Sequence, residues 1–287
     1  MIAHIAEAGE GRGRVVLRFS VGDPSPVAIS AAVKLAQAFE SEIESLFIED
    51  TEVMELASHS FVREISFSGS SHRQLTARGL HGAFQASFCS ARQCLEVAAS
   101  AAGVPLYQRV VRDEPVHAIA SACAQKGPWN VVALAEPFGA NAAHTIQNIF
   151  DNVTDATGLV LVGPSARRTT GPVIVVVEDL ERLHGMLRAA ERIGKLTDSP
   201  TTLLLLGDNA ADLEKLDGEV RLMLGDHEDV KIAEAVEIFG EPAVAAEALR
   251  RLHGGFVITR FGGLAVPSQG GWRPLISALE CPLLLVR

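Results

Sequence analysis

The chain has 287 residues, of which 48% are hydrophobic and 21% charged, and its formal net charge is −10. The length allows two ordinary domains, and the composition is typical of a globular protein rather than of a fibrous or disordered one. The negative charge argues against a general affinity for nucleic acid or for anionic membranes, because binding to phosphates requires an attractive field.

The apolar runs of the sequence are short. The longest of them, such as residues 173–177 and 203–206, cannot span a bilayer, and the N-terminal residues lack the continuous apolar segment of a secretory signal. The four cysteines, Cys89, Cys94, Cys123 and Cys281, form no C-x-x-C pair and lie in apolar stretches, so we expect them to fill core positions. These features predict a cytoplasmic protein.

The first part of the chain alternates strands and helices. Residues 15–19 predict a strand, and Ser25 and Pro26 suit the N-cap and first turn of a helix whose apolar residues recur every four positions from Val27 to Phe39. A second strand is predicted at residues 43–48. The irregular, serine-containing stretch at about 50–78 predicts a loop or flexible insertion.

After this insertion, helices are predicted at residues 80–102, 115–126 and 145–154, and they alternate with strands at 106–111, 130–135 and 159–162. Strands that are separated by helices of this length cannot pair as hairpins. The order therefore predicts a doubly wound α/β domain, in which helices cover both faces of a parallel sheet.

A polar segment bounded by Gly-Pro pairs, residues 163–172, predicts a domain boundary. The pattern then starts again, with predicted strands at 173–177, 201–206, 256–259 and 283–286, another strand ending near Phe239, and helices between them. Such repetition predicts two tandem doubly wound α/β domains, at residues 1–165 and 171–287, of which the second is shorter and lacks the insertion.

Several segments resemble the universal stress protein family. In the first half, VVLRFSVGDPSPVAISAAVKLAQAF is similar to the family's opening strand, Asp-Gly-Ser-Pro turn and first helix, and RDEPVHAIASACAQKGPWNVVALAE is similar to its third helix and fourth strand. In the second half, EPAVAAEALRRLHGGFVITRFGG and ECPLLLVR resemble the family's last third. The resemblance implies two tandem universal stress protein-like domains, with the doubly wound sheet of the adenine nucleotide alpha-hydrolase-like proteins.

Many members of that family hold ATP through an acidic residue after the first strand and through glycines after the fourth, spaced G-x-x-G and followed by G-[ST]. Backbone N–H groups of such a loop can close around phosphates. In the first half Ser20 takes the place of the acid, and Gly139 is the glycine that follows the fourth strand. In the second half Asp179, with Glu178 beside it, is suitably placed. The glycines near the expected phosphate loop are Gly262, Gly263, Gly270 and Gly271, at altered spacing.

This glycine cluster has two interpretations. It is either a remodelled anion or nucleotide loop, or a connection whose glycines relieve a tight turn. The second interpretation is favoured, because isolated glycine motifs are weak indicators of a binding site.

The basic residues of the insertion also allow two interpretations, a lid over an anionic ligand or a solvated loop, and the solvated loop is favoured. These basic residues are Arg63, His72, Arg73, Arg78 and His81.

No catalytic constellation is visible in the sequence. The nine histidines show no zinc-binding spacing, and Ser20, Ser25 and Ser268 lack a nucleophile elbow with an ordered acid and base. We therefore expect no metal and a non-enzymatic module that acts in stress response through protein or small-ligand contacts. The alternative is an ATP-binding protein, with or without slow hydrolysis, that uses the second half. An enzyme domain of another nucleotide-binding class is a third interpretation, for which no signature appears.

The last strand of each half is apolar. In universal stress proteins this strand often forms the dimer contact, and an open apolar edge invites pairing. We predict that the segment from Leu159 to Val162 pairs with the segment from Leu283 to Val286, as a pseudo-twofold dimer within one chain. A homodimer of the chain is a further expectation, and the sequence names neither a ligand nor a protein partner.

Overall fold

A computed structural model of the protein describes residues 13–19, 25–65, 72–125, 130–134, 142–225, 230–237, 242–268 and 271–287. Within these residues, twelve strands and nine helices follow one another along the chain. Most strands are separated by helices, as the sequence predicted, and the α/β fold class is confirmed.

Seven of the strands and five of the helices form what we call the first half. The strands are β1 (Arg14–Phe19), β2 (Glu42–Asp50), β3 (Arg63–Ile65), β4 (His72–Gln74), β5 (Leu106–Asp113), β6 (Asn130–Leu134) and β7 (Ala156–Leu161). The helices are α1 (Pro26–Ala38), α2 (Thr51–Leu56), α3 (Ala77–Ala102), α4 (Pro115–Ala124) and α5 (Ala142–Asn152).

The remaining described elements form the second half. Its strands are β8 (Val173–Val177), β9 (Thr201–Gly207), β10 (Val230–Glu237), β11 (Phe256–Arg260) and β12 (Leu283–Val286). Its helices are α6 (Leu183–Thr197), α7 (Ala210–Leu224), α8 (Pro242–Arg251) and α9 (Arg273–Ala278). No helix in the described ranges combines the length and the apolar character needed to cross a membrane.

Ten strands form one sheet, in the order β10-β9-β8-β11-β12-β7-β6-β1-β2-β5, whereas β3 and β4 form a separate hairpin. Each half contributes five strands in the same relative order, with its first strand between its second and its penultimate strand. The pairings inside each five-stranded part are parallel, and the pairing of β7 with β12 is antiparallel. Parallel strands of this kind require crossover connections, which the helices provide.

The two halves meet where β7 pairs with β12. Leu161 lies opposite Leu283, and Leu159 lies opposite Leu285. All four side chains are buried. The pairing places the last strand of each half inside the sheet, so neither strand presents an open edge to solvent.

The apolar core lies in two layers, one on each face of the sheet. One layer contains Val15 and Val175 together with buried residues of α1, α3 and α6. The other contains Val16 and Val176 together with buried residues of α4, α5, α8 and α9. Because each layer includes residues of both halves, the hydrophobic core is continuous across the junction.

The segment between the halves is tied to both of them. Arg168 forms an ion pair with Glu280 at 3.1 Å and donates a hydrogen bond from Nε to the carbonyl of Gly254 at 3.1 Å. On the other side, Lys34 of α1 donates to the carbonyl of Thr169 at 2.7 Å. The predicted linker, residues 163–172, therefore makes defined contacts with elements of both halves.

The predicted insertion at about 50–78 is not the irregular loop that the sequence indicated throughout, because three short elements, α2, β3 and β4, form within its described residues. Asp50 accepts hydrogen bonds from the N–H groups of Glu52 and Val53 and so caps α2, and β3 pairs with β4 in an antiparallel hairpin. These elements are short and mostly exposed. They lack the apolar periodicity from which a sequence predicts a helix or a strand.

The prediction that all four cysteines fill core positions is wrong for two of them. Cys89 and Cys94 are exposed, because the buried face of α3 runs through Leu95 and they lie off that face. Cys123 and Cys281 are buried, and burial raises the pKa of each thiol to about 12. Because the thiolate is the reactive form, neither buried cysteine is a good nucleophile at neutral pH.

Candidate functional site

The carboxyl ends of β8 and β11 lie side by side, because the two strands pair in parallel. Glu178 and Asp179 directly follow β8, and residues 261–268 follow β11 on the way to α9. Ligands of doubly wound sheets usually bind at this edge. The fold thus brings the predicted acidic pair to the same edge as Gly262 and Gly263.

Glu178 is the centre of this edge. Its side chain is 2% exposed. One carboxylate oxygen, Oε2, accepts hydrogen bonds from the N–H of Leu264 at 2.8 Å and from Nε of Arg260 at 3.0 Å. The other, Oε1, accepts from the N–H of Ala265 at 2.8 Å. The charge of a buried carboxylate is tolerated when it is paired and hydrogen-bonded, and here the chain itself supplies all these partners.

Arg260 connects the two acidic residues. Its Nη1 lies 2.6 Å from Oδ2 of Asp179, while its Nε contacts Glu178. The other oxygen of Asp179 accepts a hydrogen bond from the N–H of Glu181 at 2.9 Å, which orders the turn before α6. Arg260 was not singled out from the sequence. It could have been found because it ends β11, whose parallel neighbour β8 ends at the acidic pair.

Gly262 and Gly263 are needed by the loop itself. Gly262 has φ +81°, in the left-handed region, and its N–H donates to the carbonyl of Val266 at 2.8 Å. A Cβ on Gly263 would lie 1.9 Å from Oε2 of Glu178, so a larger residue would have to displace the carboxylate. The two glycines therefore allow the loop to turn and to approach Glu178 closely.

Four other residues were predicted to belong to a ligand loop or to replace its acid. Gly271 is exposed, has φ +88° and lies two residues before α9, where it shapes the turn into that helix. Ser20, Gly139 and Gly270 lie outside the described residues. The described structure therefore brings together Glu178, Asp179, Gly262 and Gly263, and adds Arg260 to them.

Three backbone N–H groups of this loop are already engaged within the protein and are not free to bind the phosphates of ATP. A phosphate loop directs several backbone N–H groups toward its ligand. Here the N–H groups of Leu264 and Ala265 point to Glu178, and that of Gly262 points to Val266. Within the described part of the chain, there is also no group of three or more His, Cys, Asp or Glu side chains that could hold a metal ion.

The insertion of the first half combines its basic residues with acidic ones. Arg73 of β4 pairs with Glu64 of β3 at 2.5 Å, and this hydrogen bond raises the pKa of Arg73 and lowers that of Glu64. His81 lies 3.1 Å from Glu49, which also pairs with Arg112 at 2.8 Å. The remaining basic residues of the insertion, Arg63, His72 and Arg78, are exposed. This pairing and exposure favour a solvated surface over a lid that holds an anion.

Comparisons with known proteins show which solved structures have a similar fold. No protein-family model matches the chain, and no curated protein matches it. A universal stress protein from Archaeoglobus fulgidus DSM 4304 has a similar structure, with a TM-score of 0.59 and 12% sequence identity over 96% of this chain and 97% of that one.

Two further solved structures are similar over 96% of this chain, each at 12% identity. One is a functionally unknown protein from Pseudomonas aeruginosa PAO1, with a TM-score of 0.57 over 92% of its chain. The other is the cytoplasmic domain of a prokaryotic cation chloride cotransporter, with a TM-score of 0.53 over 95% of its chain. At this identity the similarity concerns the fold, and the chain has a universal stress protein-like α/β fold.

Proposed function

We propose that this protein is a non-enzymatic, universal stress protein-like module of two tandem domains, which acts through protein or small-ligand contacts and does not use ATP at the loop of its second half. The observation that carries the proposal is the closure of residues 261–268 on Glu178. Glu178 and the loop at residues 261–268 could together hold a nucleotide, but here they bind each other instead.

The free energy needed to open the loop supports this proposal. A phosphate could reach the N–H groups of Leu264 and Ala265 after their hydrogen bonds to Glu178 were broken, which would leave a buried carboxylate with fewer partners. Loss of a partner from a buried charge costs about 3–5 kcal/mol. Since each 1.4 kcal/mol is a factor of ten in affinity, opening would weaken nucleotide binding by about two to four orders of magnitude.

Two further observations agree with a role in binding rather than in catalysis. The buried thiols of Cys123 and Cys281, with pKa values of about 12, are poor nucleophiles. One structural neighbour is the cytoplasmic domain of a cation chloride cotransporter, so the fold also occurs as part of a transport protein.

A cytoplasmic location is part of this proposal. Cys89 and Cys94 are exposed free thiols, and such thiols are typical of reducing compartments.

Addition of MgATP is expected to leave the melting temperature of the protein unchanged within about 1 °C. A ligand present at a hundred times its Kd would stabilise the native state by about 2.7 kcal/mol, and the melting temperature would rise by several degrees. Differential scanning calorimetry with MgATP, and with MgCl2 at the same ionic strength as the control, checks this.

The variant Gly271→Val separates specific nucleotide binding from a general effect of the anion. A rise of several degrees with MgATP that disappears in this variant would contradict the proposal. It would favour the alternative of an ATP-binding second half.

A further inference from the structure

Strand β5 is the outermost strand of the ten-stranded sheet on the side of the first half. It pairs with β2 along its whole length, without a register shift. The carbonyl of Pro105 accepts from the N–H of Ile43, and the hydrogen-bonding direction alternates from residue to residue along a strand. The residues of β5 whose N–H and C=O groups point away from β2 are therefore Leu106, Gln108, Val110 and Arg112. Among the described residues, no strand pairs with these groups.

The two edges of the sheet are built differently. At the other edge, β10 has a register shift between Ile232 and Glu234, and its Lys231 is exposed. Bulges and exposed lysines are common means by which proteins keep an edge strand from pairing with another chain. In β5 the ladder is regular and two large apolar side chains are exposed, Tyr107 by 54% and Val110 by 45%. The edge at β10 is thus protected, whereas the edge at β5 is suited to pairing.

The arginines of β5 are paired within the chain. Nε of Arg109 lies 3.1 Å from Oε1 of Glu44 on β2. Arg112 donates from Nε and Nη2 to Oε2 of Glu49, which is also on β2, at 3.1 and 2.8 Å. Because each guanidinium has a carboxylate beside it, the two arginines repel an approaching strand less than unpaired charges would.

A second copy of β5 fits this edge best in one register. In a two-fold antiparallel pair, outward-facing residues must lie opposite outward-facing residues for the backbone hydrogen bonds to form. Pairing centred on Arg109 would place two arginines opposite each other, which is unfavourable. Pairing centred on Val110 covers residues 107–113, places valine opposite valine and Gln108 opposite Arg112, and brings no like charges face to face. Centres further along the strand in either direction pair fewer of its residues.

A groove between α3 and β5 makes this register complementary in charge. Its volume is about 480 Å³, and it is lined by Glu96, Ala99, Ser100, Val104, Leu106 and Gln108. Oε1 of Glu96 accepts from Nε2 of Gln108 at 3.3 Å and from Nε of Arg92 at 2.8 Å. Glu96 is therefore beside the residue that would lie opposite Arg112 of the second copy. Nη1 of that arginine can donate to Oε2 of Glu96, while Nε and Nη2 keep their bonds to Glu49.

We propose that β5 pairs antiparallel with β5 of a second copy about a two-fold axis at Val110, so that the protein is a homodimer with one continuous sheet. This pairing is isologous and closes at two subunits, whereas pairing of β5 with β10 would continue from chain to chain. It provides partners for the outward-facing N–H and C=O groups and buries Val110 at the centre of the contact. The dimer adds a protein partner to the proposed function and does not depend on the closed loop at Glu178, so the two can fail separately.

The variant Val110→Lys tests the dimer. Sedimentation equilibrium of the wild-type protein at micromolar concentration is expected to give twice the chain mass of 30.5 kDa. In the variant two lysines would lie opposite each other, so we expect self-association to weaken about tenfold or more, with an unchanged circular dichroism spectrum because lysine is common on edge strands. The matched control is Leu222→Lys on α7, which replaces a side chain that is 86% exposed and should leave the dimer intact.

Two outcomes of sedimentation would overturn the proposal. A monomeric wild-type protein would exclude a second copy as the occupant and leave the edge for a strand of another protein. A dimer that Val110→Lys and Leu222→Lys affect equally would show that the copies meet elsewhere.

Cross-linking tests the register. Directly opposed residues of a hydrogen-bonded antiparallel pair have Cα atoms about 5.5 Å apart, which a disulfide can bridge. In a protein that carries Cys89→Ser and Cys94→Ser, Val110→Cys is expected to form an intermolecular disulfide on mild oxidation. Tyr107→Cys is the control on the same strand, since this position is also exposed but would lie opposite Asp113 of the second copy. Equal cross-linking of the two variants, or none for Val110→Cys, would overturn the two-fold axis at Val110.

Discussion

Replacing Glu178 by alanine is expected to lower the free energy of unfolding by about 3–5 kcal/mol. The carboxylate is 2% exposed and accepts hydrogen bonds from two backbone N–H groups and from Arg260. Its removal leaves the N–H groups of Leu264 and Ala265 without acceptors and leaves Arg260 with Asp179 as its remaining ionic partner. Urea unfolding, with the m value checked for constancy, measures the loss.

The matched control for this prediction is Asp179→Ala. Asp179 contacts the same arginine, but its side chain is 35% exposed, and an ion pair of this kind contributes about 1 kcal/mol or less. We expect the alanine variant at position 178 to be clearly less stable than the one at 179. Equal losses would show that the loop does not depend on Glu178 for its conformation.

Replacing Leu285 by alanine is expected to destabilise the whole chain by about 2–5 kcal/mol, because the side chain is fully buried at the junction of the halves. The melting temperature should fall by about 5–10 °C. Since both core layers contain residues of both halves, we expect one cooperative transition that shifts as a unit. Calorimetry over the full transition measures both quantities.

Leu222→Ala on α7 provides the comparison, since its side chain is 86% exposed and its truncation should change stability by less than about 0.5 kcal/mol. If calorimetry shows two separate transitions and Leu285→Ala shifts only one of them, the halves unfold independently. That result would contradict a continuous core across β7 and β12.

The order of strands and helices could be predicted well from the sequence because the sheet is buried on both faces. Strands of such a sheet are short apolar runs bounded by turn residues, and the predicted boundaries of β8 and β12 agree with the structure. The hairpin of β3 and β4 and the helix α2 were not predicted, since exposed three- to six-residue elements carry no such pattern.

The candidate site could be predicted only in part. The acidic pair and the first two glycines were found from their places after the strands, but the contact of Glu178 with Leu264 joins residues 86 positions apart. No local pattern reports whether a loop stays open for a ligand or closes on its own acid.

Amide hydrogen exchange at Leu264 and Ala265 tests the closed loop most directly. Both N–H groups donate to a buried carboxylate, so they should exchange slowly in the wild-type protein and rapidly in Glu178→Ala, and MgATP should not alter their exchange in the wild type. Exchange in the wild type as fast as that of exposed loop amides, or protection of these two amides that increases with MgATP, would contradict the account.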